Sequence, residues 1–243
     1  MSRYSVVIPA YNEAATIRDL AVRTLRFSSH VIVVDDGSTD ATGGQLAGLP
    51  VELLRNAHNE GKAAALWRGA EAARLAGAEW VVTLDGDGQH APEDIPRLVE
   101  AAEQNLGCIV IGSRFAEPAE VPPSRYAANR IAAFWVSWAC GQRLTDSQSG
   151  FRVYPTALFR KLFIPHDRSR GFVLESEILI EAARHGHRCV MVPIAAIYLA
   201  GQRTSHFRPV LDIVRIMRMI AWKLLSRGLY PVGFYRAFVR RGS

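Results

Sequence analysis

The stretch from Val81 to His90 reads VVTLDGDGQH. An apolar run ends in two carboxylates, Asp85 and Asp87, with only Gly86 between them, followed by Gly88, Gln89 and His90. Glycine on both sides of Asp87 permits unusual backbone angles and leaves room for a ligand. Oxygen donors this closely spaced suit a hard divalent ion, magnesium or manganese, shared with a diphosphate; the Gln89 carbonyl could add a further donor. A solvated Asp-Gly turn without metal is the alternative for the short motif alone. A calcium loop is disfavoured because no distal bidentate Glu follows.

Elements that could carry such a motif are legible on either side of it. Strands are predicted at 4–10, 30–36, 51–56, 79–85, 108–114 and 189–195, and helices at 13–25, 39–47, 61–77, from Pro92 through Gln104, at 125–140, 173–186 and 208–227. Residues 117–124 read as a Pro-rich loop and 141–155 as a long irregular segment. Strand–helix alternation with near-continuous apolar strands predicts an α/β fold, a mostly parallel, Rossmann-like sheet with helices on both faces. Ligands bind such sheets outside the carboxyl ends of the strands. Asp35, Asp36, Asp85, Asp87 and Arg114 all fall at those ends. Asp35 and Asp36 could accept bonds from a ribose or base; the alternative is a capped turn, which Ser38 or Thr39 would provide alone. Pro9, Tyr11 and Glu13, at the tip of the first strand, suit stacking on a base. Neither a dinucleotide fingerprint nor a Walker loop is present, which argues against an oxidoreductase and a P-loop ATPase.

Composition bounds the remaining possibilities. The 243 residues carry a formal charge of +6, with 49% apolar and 21% charged residues, as in a soluble globular protein. From Arg203 onward nine Lys or Arg stand against a single acid, Asp212. Such asymmetry points to an anionic surface. At a 3.6-residue period Arg208, Asp212, Arg215, Lys223 and Arg227 share one arc of the last helix, with Val214, Met217, Ile220, Ala221, Leu224 and Leu225 opposite. Trp222, Tyr230, Phe234, Tyr235 and Phe238 lie at or beyond its end. This pattern is expected of an interfacial helix on anionic membrane; a helix packed on the domain, or a dimer contact, is the alternative. No nucleic-acid-binding module accompanies the charge. Cys108, Cys140 and Cys189 have neither metal-site nor disulfide spacing, the N-terminus lacks an apolar signal core, and no transmembrane run is present. A cytoplasmic protein, peripheral at the inner face of the membrane, is the expectation.

The segments VVIPAYNE, VVDDGSTD, NEGKAAALWRGAEAA, TLDGDGQHAPEDI, IGSRF and DSQSGFRVY occur in the order seen in family 2 glycosyltransferases of the GT-A fold. The later GFVLESEILIEAARHG, CVMVPI and GQRTSHF most resemble the polyprenyl-phosphate hexosyltransferase branch, which includes dolichyl-phosphate mannose synthase. The likeness runs from about residue 4 to 210. It implies a domain at 1–207 followed by a basic amphipathic tail at 208–243. It also implies a GDP- or UDP-linked sugar donor, a lipid acceptor and inversion at the anomeric carbon. Pro9, Tyr11, Glu13 and Asp36 would then hold the nucleoside, and Asp85 would lie near ribose and sugar. Asp87 and Gln89 would ligate the metal. Arg114, Arg130, Arg203 and, less securely, Ser205 would contact phosphates, since relatives often carry Ser-Lys where Ser205-His206 stands. A lipid phosphate needs no general base to attack; for a hydroxyl acceptor, Asp146 or Glu177 is the candidate. A nucleotidyltransferase is disfavoured because IPAYNEAATI lacks a Gly-rich loop with lysine. A non-catalytic binding protein is disfavoured because both acids of the motif are present.

Overall fold

The computed structural model describes residues 3–114, 123–162, 164, 173–195, 197 and 209–240. Seven strands, β1 (Tyr4–Ala10), β2 (Val31–Asp35), β3 (Glu52–Arg55), β4 (Trp80–Thr83), β5 (Ile109–Ser113), β6 (Arg152–Pro155) and β7 (Cys189–Pro193), form one sheet in the order β3-β2-β1-β4-β6-β5-β7. All are parallel except β6, which runs antiparallel between β4 and β5. The sheet is therefore mostly parallel, as expected, with a reversed strand inserted beside the DGD motif.

The six predicted strands form within a residue or two of their expected ends. β6 falls in the segment read as irregular. Its first residue, Arg152, is fully buried and breaks the apolar pattern. The helices are α1 (Ile17–Thr24), α2 (Lys62–Leu75), α3 (Ile95–Gln104), α4 (Pro123–Cys140), α5 (Val173–Arg184), α6 (Pro209–Leu225) and the short α7 (Pro231–Phe234). The helix expected at 39–47 is instead a loop with a single 3-10 turn at Gly44–Leu46. Asp40 explains the difference, because its carboxylate bonds Ala14 N and Thr42 N and draws the chain onto the β1 loop.

Strand side chains alternate between two cores, as a pleat requires. Val7, Ile32, Val34, Val81, Ile109 and Ile111 pack beneath α2, α4, α5 and α6. Val6, Ile8, Val33, Val82, Val110 and Val153 pack with α1 and α3. The first core includes Ile216, Ile220 and Leu224, so α6 is seated on the domain through these residues. Lys223, expected on the solvent arc, points inward to Glu177 at 3.1 Å and Glu181 at 2.5 Å. Val214, Trp222 and Leu225 are left exposed. The apolar surface of α6 is thus divided between core and solvent.

Gly69, inside α2, lets that helix approach β1: a Cβ there would stand 2.4 Å from Val7 Cγ1. Gly69→Ala should lower stability by about 1–2 kcal/mol through overpacking. The loss should appear in urea denaturation even though alanine is the better helix former.

Candidate active site

The loops after β1 and β2 are fastened to each other. Asn12 N donates to Ser38 Oγ at 2.9 Å, Thr39 N donates to Asn12 Oδ1 at 2.9 Å, and Glu13 N donates to Thr42 Oγ1 at 2.8 Å. Asp35 accepts a bond from Ser38 N and pairs with Arg55 at 3.3 Å. Asp36 accepts bonds from the Asn56 side chain and from Glu60 N and Gly61 N. Both carboxylates are buried and bonded within the protein, a loop-building role closer to the capped-turn alternative, although Asp35 Oδ2 accepts no hydrogen bond. Asp36 does more than close a turn. By holding Gly61, which has φ +98°, it fixes where α2 begins and therefore where Lys62 points.

Lys62 was not singled out by its residue type or spacing, yet it is central. Its Nζ lies 2.7 Å from Asp85 Oδ1 and 2.5 Å from Glu175 Oε1, on α5. Asp85 is backed on its other side by Gly150, where a Cβ would stand 2.3 Å from Oδ2. Thr83 Oγ1 donates to Gly150 O at 2.7 Å and keeps that backbone against the β4 tip. Burial opposes ionisation of Asp85, but the charges of Lys62, His90 and Arg114 prevail and hold its pKa at about 2. Lys62 is raised for the complementary reason, Asp85 and Glu175 outweighing its desolvation.

The neighbouring acids behave in the opposite sense. Burial, then the charge of Asp85, lifts Asp87 to about 6. Burial, then Asp87, Asp85 and Asp40, lifts Glu13 to about 7. Asp87 Oδ1 accepts a bond from Gln89 N at 3.0 Å, which curls the GDGQ turn around the carboxylate. Gly86 fits closely against the β1 loop; a Cβ there would come 3.2 Å from Pro9 O and 3.3 Å from Glu13 Cγ. Thr16 Oγ1 donates to Gly86 O at 2.7 Å. Glu13, Asp85 and Asp87 thus form a concentration of negative charge at the carboxyl edge of the sheet.

This donor set fits a divalent cation. It is all oxygen, and the raised acids are of the kind that a nearby dication returns to the ionised form. Asp87 and the Gln89 amide are the residues that would hold it. Among the described residues no three His, Cys, Asp or Glu side chains are grouped to bind a metal by themselves. The remaining donors would have to come from ligand or water, as magnesium commonly requires.

Asp146 and Arg114, considered separately as base and phosphate contact, are paired with each other. The fully buried Asp146 carboxylate accepts bonds from Arg114 Nε at 2.8 Å and Nη2 at 3.1 Å, and from Gln148 N at 3.0 Å and Ser149 N at 3.1 Å. Its pKa is lowered, the Arg114 charge and these bonds overcoming burial. A carboxylate held this way is a strut for the loop and a poor proton acceptor. Glu177 lies on α5 with its carboxylate toward Lys223 of α6. Glu175, two residues earlier, is the one that reaches the Asp85 cluster.

Arg152 closes the assembly. Its guanidinium, wholly buried, donates to Ser149 O, Ser147 O, Glu175 O and the Tyr154 hydroxyl at 2.7–3.2 Å. His90 is buried, with neither ring nitrogen hydrogen-bonded and the Phe151 ring 5.5 Å away. Burial pushes its pKa down to about 4, so the imidazole is neutral at physiological pH. Tyr11 is half-buried beside the β1 tip, and Arg130 is exposed on α4 with its guanidinium over the Tyr126 ring. Arg203 and Ser205 lie outside the described residues.

Comparison with known proteins gives the family of the chain. The model of glycosyl transferase family 2 matches residues 5–165. The chain is 30% identical over 208 residues to a polyprenol monophosphomannose synthase of Mycolicibacterium smegmatis, covering 79% of this chain and 76% of the relative. It is 31% identical over 215 residues to a UDP-N-acetylglucosamine–dolichyl-phosphate N-acetylglucosaminyltransferase of Methanococcus voltae, covering 79% and 85%. The structure of glucosyl-3-phosphoglycerate synthase from Mycobacterium tuberculosis, solved with Mn2+, UDP and phosphoglyceric acid, superposes with a TM-score of 0.66. That match covers 92% of this chain and 78% of the other at 24% identity, a likeness of fold. The fold is of the GT-A type, and the family match with these relatives shows a glycosyltransferase. The chain belongs to glycosyltransferase family 2, in its polyprenyl-phosphate branch.

Asp146→Asn should destabilise the protein by about 3 kcal/mol at neutral pH, because it removes the buried negative charge that Arg114 faces. The wild-type carboxyl has a lowered pKa, so its contribution is present above the ordinary carboxylate range and lost as pH falls through the folded-state value. Denaturant midpoints of the two proteins should therefore converge on acidification.

Proposed function

We propose that the protein transfers a hexose from a GDP- or UDP-linked donor to a membrane-borne polyprenyl phosphate, with inversion at the anomeric carbon and with magnesium or manganese on the donor diphosphate. The observation that carries this reading is the state of the two candidate bases. Asp146 is saturated by Arg114 and backbone N–H groups, and Glu177 is paired with Lys223. An acceptor that is already an anion needs neither.

In this reading Pro9, Tyr11 and Glu13 form the wall against the nucleoside, and Asp35 and Asp36 shape that wall from beneath. Asp85, fixed by Lys62 and Gly150, faces the donor sugar. A phosphate oxygen of the acceptor bonds to the anomeric carbon as the bond to the nucleoside diphosphate breaks, so no proton has to move. Asp87 and Gln89 would hold a divalent cation, whose positive charge would offset the negative charge of a departing diphosphate. Arg114 stands at the same edge of the sheet, and fixed positive charge there stabilises developing phosphate charge; Arg130 is assigned to the acceptor phosphate, as is Arg203, which lies outside the described residues.

The membrane is approached by the outer arc of α6 and the segment after it. Trp222, Leu225, Leu229, Val232, Tyr235 and Val239 are exposed beside Arg218, Arg236 and Arg240. Apolar and aromatic side chains among basic ones suit an anionic lipid surface, here the cytoplasmic face. No helix among the described residues is long and apolar enough to cross a membrane.

Transfer of labelled hexose from GDP-mannose, UDP-glucose and UDP-N-acetylglucosamine to undecaprenyl phosphate, with manganese and then with chelator, tests the reaction. Asp87→Ala should cut turnover by about 10²–10³-fold while the fold survives. Undiminished transfer by that variant removes the metal assignment, and transfer only to a hydroxyl acceptor removes the acceptor. For the membrane, the pair Trp222→Ser and Leu225→Ser is preferable to truncation, since α6 also fills the core. Loss of sedimentation with phosphatidylglycerol vesicles is expected; full retention sinks the docking face.

A further inference from the structure

We infer that Glu175 is a positioning residue for transfer: it anchors the Lys62 ammonium against Asp85 and so sets the orientation of that carboxylate. This deepens the reading above, because it rests on Asp85 facing the donor.

Asp85 is gripped on two sides. Gly150 excludes any movement toward the β6 entrance, its missing Cβ being the space that Asp85 Oδ2 occupies. Lys62 Nζ holds Oδ1 at 2.7 Å. Lysine is a long, adaptable side chain with three donors, and a single carboxylate partner does not determine where its ammonium rests. The second partner, Glu175 Oε1 at 2.5 Å, supplies that determination. Glu175 is itself immobile, its side chain only 6% exposed and its backbone carbonyl bonded by Arg152 at 2.8 Å.

The remaining oxygen of Glu175 makes the case stronger. Oε2 is buried and accepts no hydrogen bond, and the residue lines a small cavity together with Lys62, Asp85, Tyr154 and Gly150. Burying an ionised group with one oxygen unsatisfied is unfavourable. A side chain present only to tie α2 to α5 would be served as well by an amide or an apolar pair. The negative charge at this place acts on Lys62, and through it on Asp85.

Displacement of a catalytic group by about 1 Å can cost about 10²-fold in rate. Glu175→Gln, which keeps shape and removes charge, should therefore lower kcat about 10- to 100-fold. The donor KM should stay within about threefold, since the nucleoside and diphosphate contacts are elsewhere. Glu175→Asp should recover part of the loss. The tether itself is read without turnover, from the 15N-detected signal of the Lys62 ammonium, identified by its disappearance in Lys62→Met. That signal should be sharp in the wild type and lost to exchange in Glu175→Gln. An unchanged kcat, a loss carried entirely by KM, or a Lys62 signal that persists in Glu175→Gln would overturn the inference. If the wild type transfers hexose from none of the donors, the proposed reaction fails, and the Lys62 signal alone still decides the tether.

Discussion

Two carboxylates separated by one glycine at the end of a buried strand repel each other, and the rest of the site is organised around that repulsion. Burial sharpens that opposition, because the effective dielectric falls well below that of water. The structure resolves the conflict unequally. Asp85 receives Lys62 and is held ionised, while Asp87 and Glu13 are left with raised pKa values. One acid is fixed in its ionised form, and the other two keep a pKa that nearby positive charge would lower. The division follows from where α2 begins, and that is set by Asp36.

The second organising element is a buried cation, Arg152. Guanidinium can satisfy several carbonyls from a planar fork, and here it gathers three backbone oxygens and a phenol around the loop that carries Asp146 and Gly150. Arg114 does the same for Asp146 from the β5 end. Loops that bear function normally vary and move. This one is fixed from within by two arginines, so Gly150 stays close enough to Asp85 for its missing side chain to matter.

Much of this was legible in the sequence because apolar runs and turn residues report directly on parallel strands and their tips. Asp85, Asp87, Gln89 and Arg114 could be placed at one edge of a sheet from their positions alone. What escaped notice depends on partners remote in the chain. Lys62 looks like any helix-surface lysine until α5 brings Glu175 to it, and β6 hides because a buried arginine breaks the alternation that marks a strand. The roles considered for Asp146 and Glu177 rested on resemblance to relatives, and a motif match does not reveal which cation, Arg114 or Lys223, each carboxylate meets. For α6, periodicity gave the helix but not which apolar side chains the core would take. Ile216, Ile220 and Leu224 went inward, and Trp222 did not.

The reversed direction of β6 brings the chain back to the edge it left. It leaves the sheet at the end of β5 and re-enters it at Arg152, on the same edge, so both ends of the excursion adjoin the site. Arg114 and Asp146 clasp it at the neck. Within the excursion α4 sends Val136 and Ala139 into the core. The excursion is thus moored twice, at its neck by charge and along its helix by packing, so that one length of chain ties the carboxylate cluster to the hydrophobic interior.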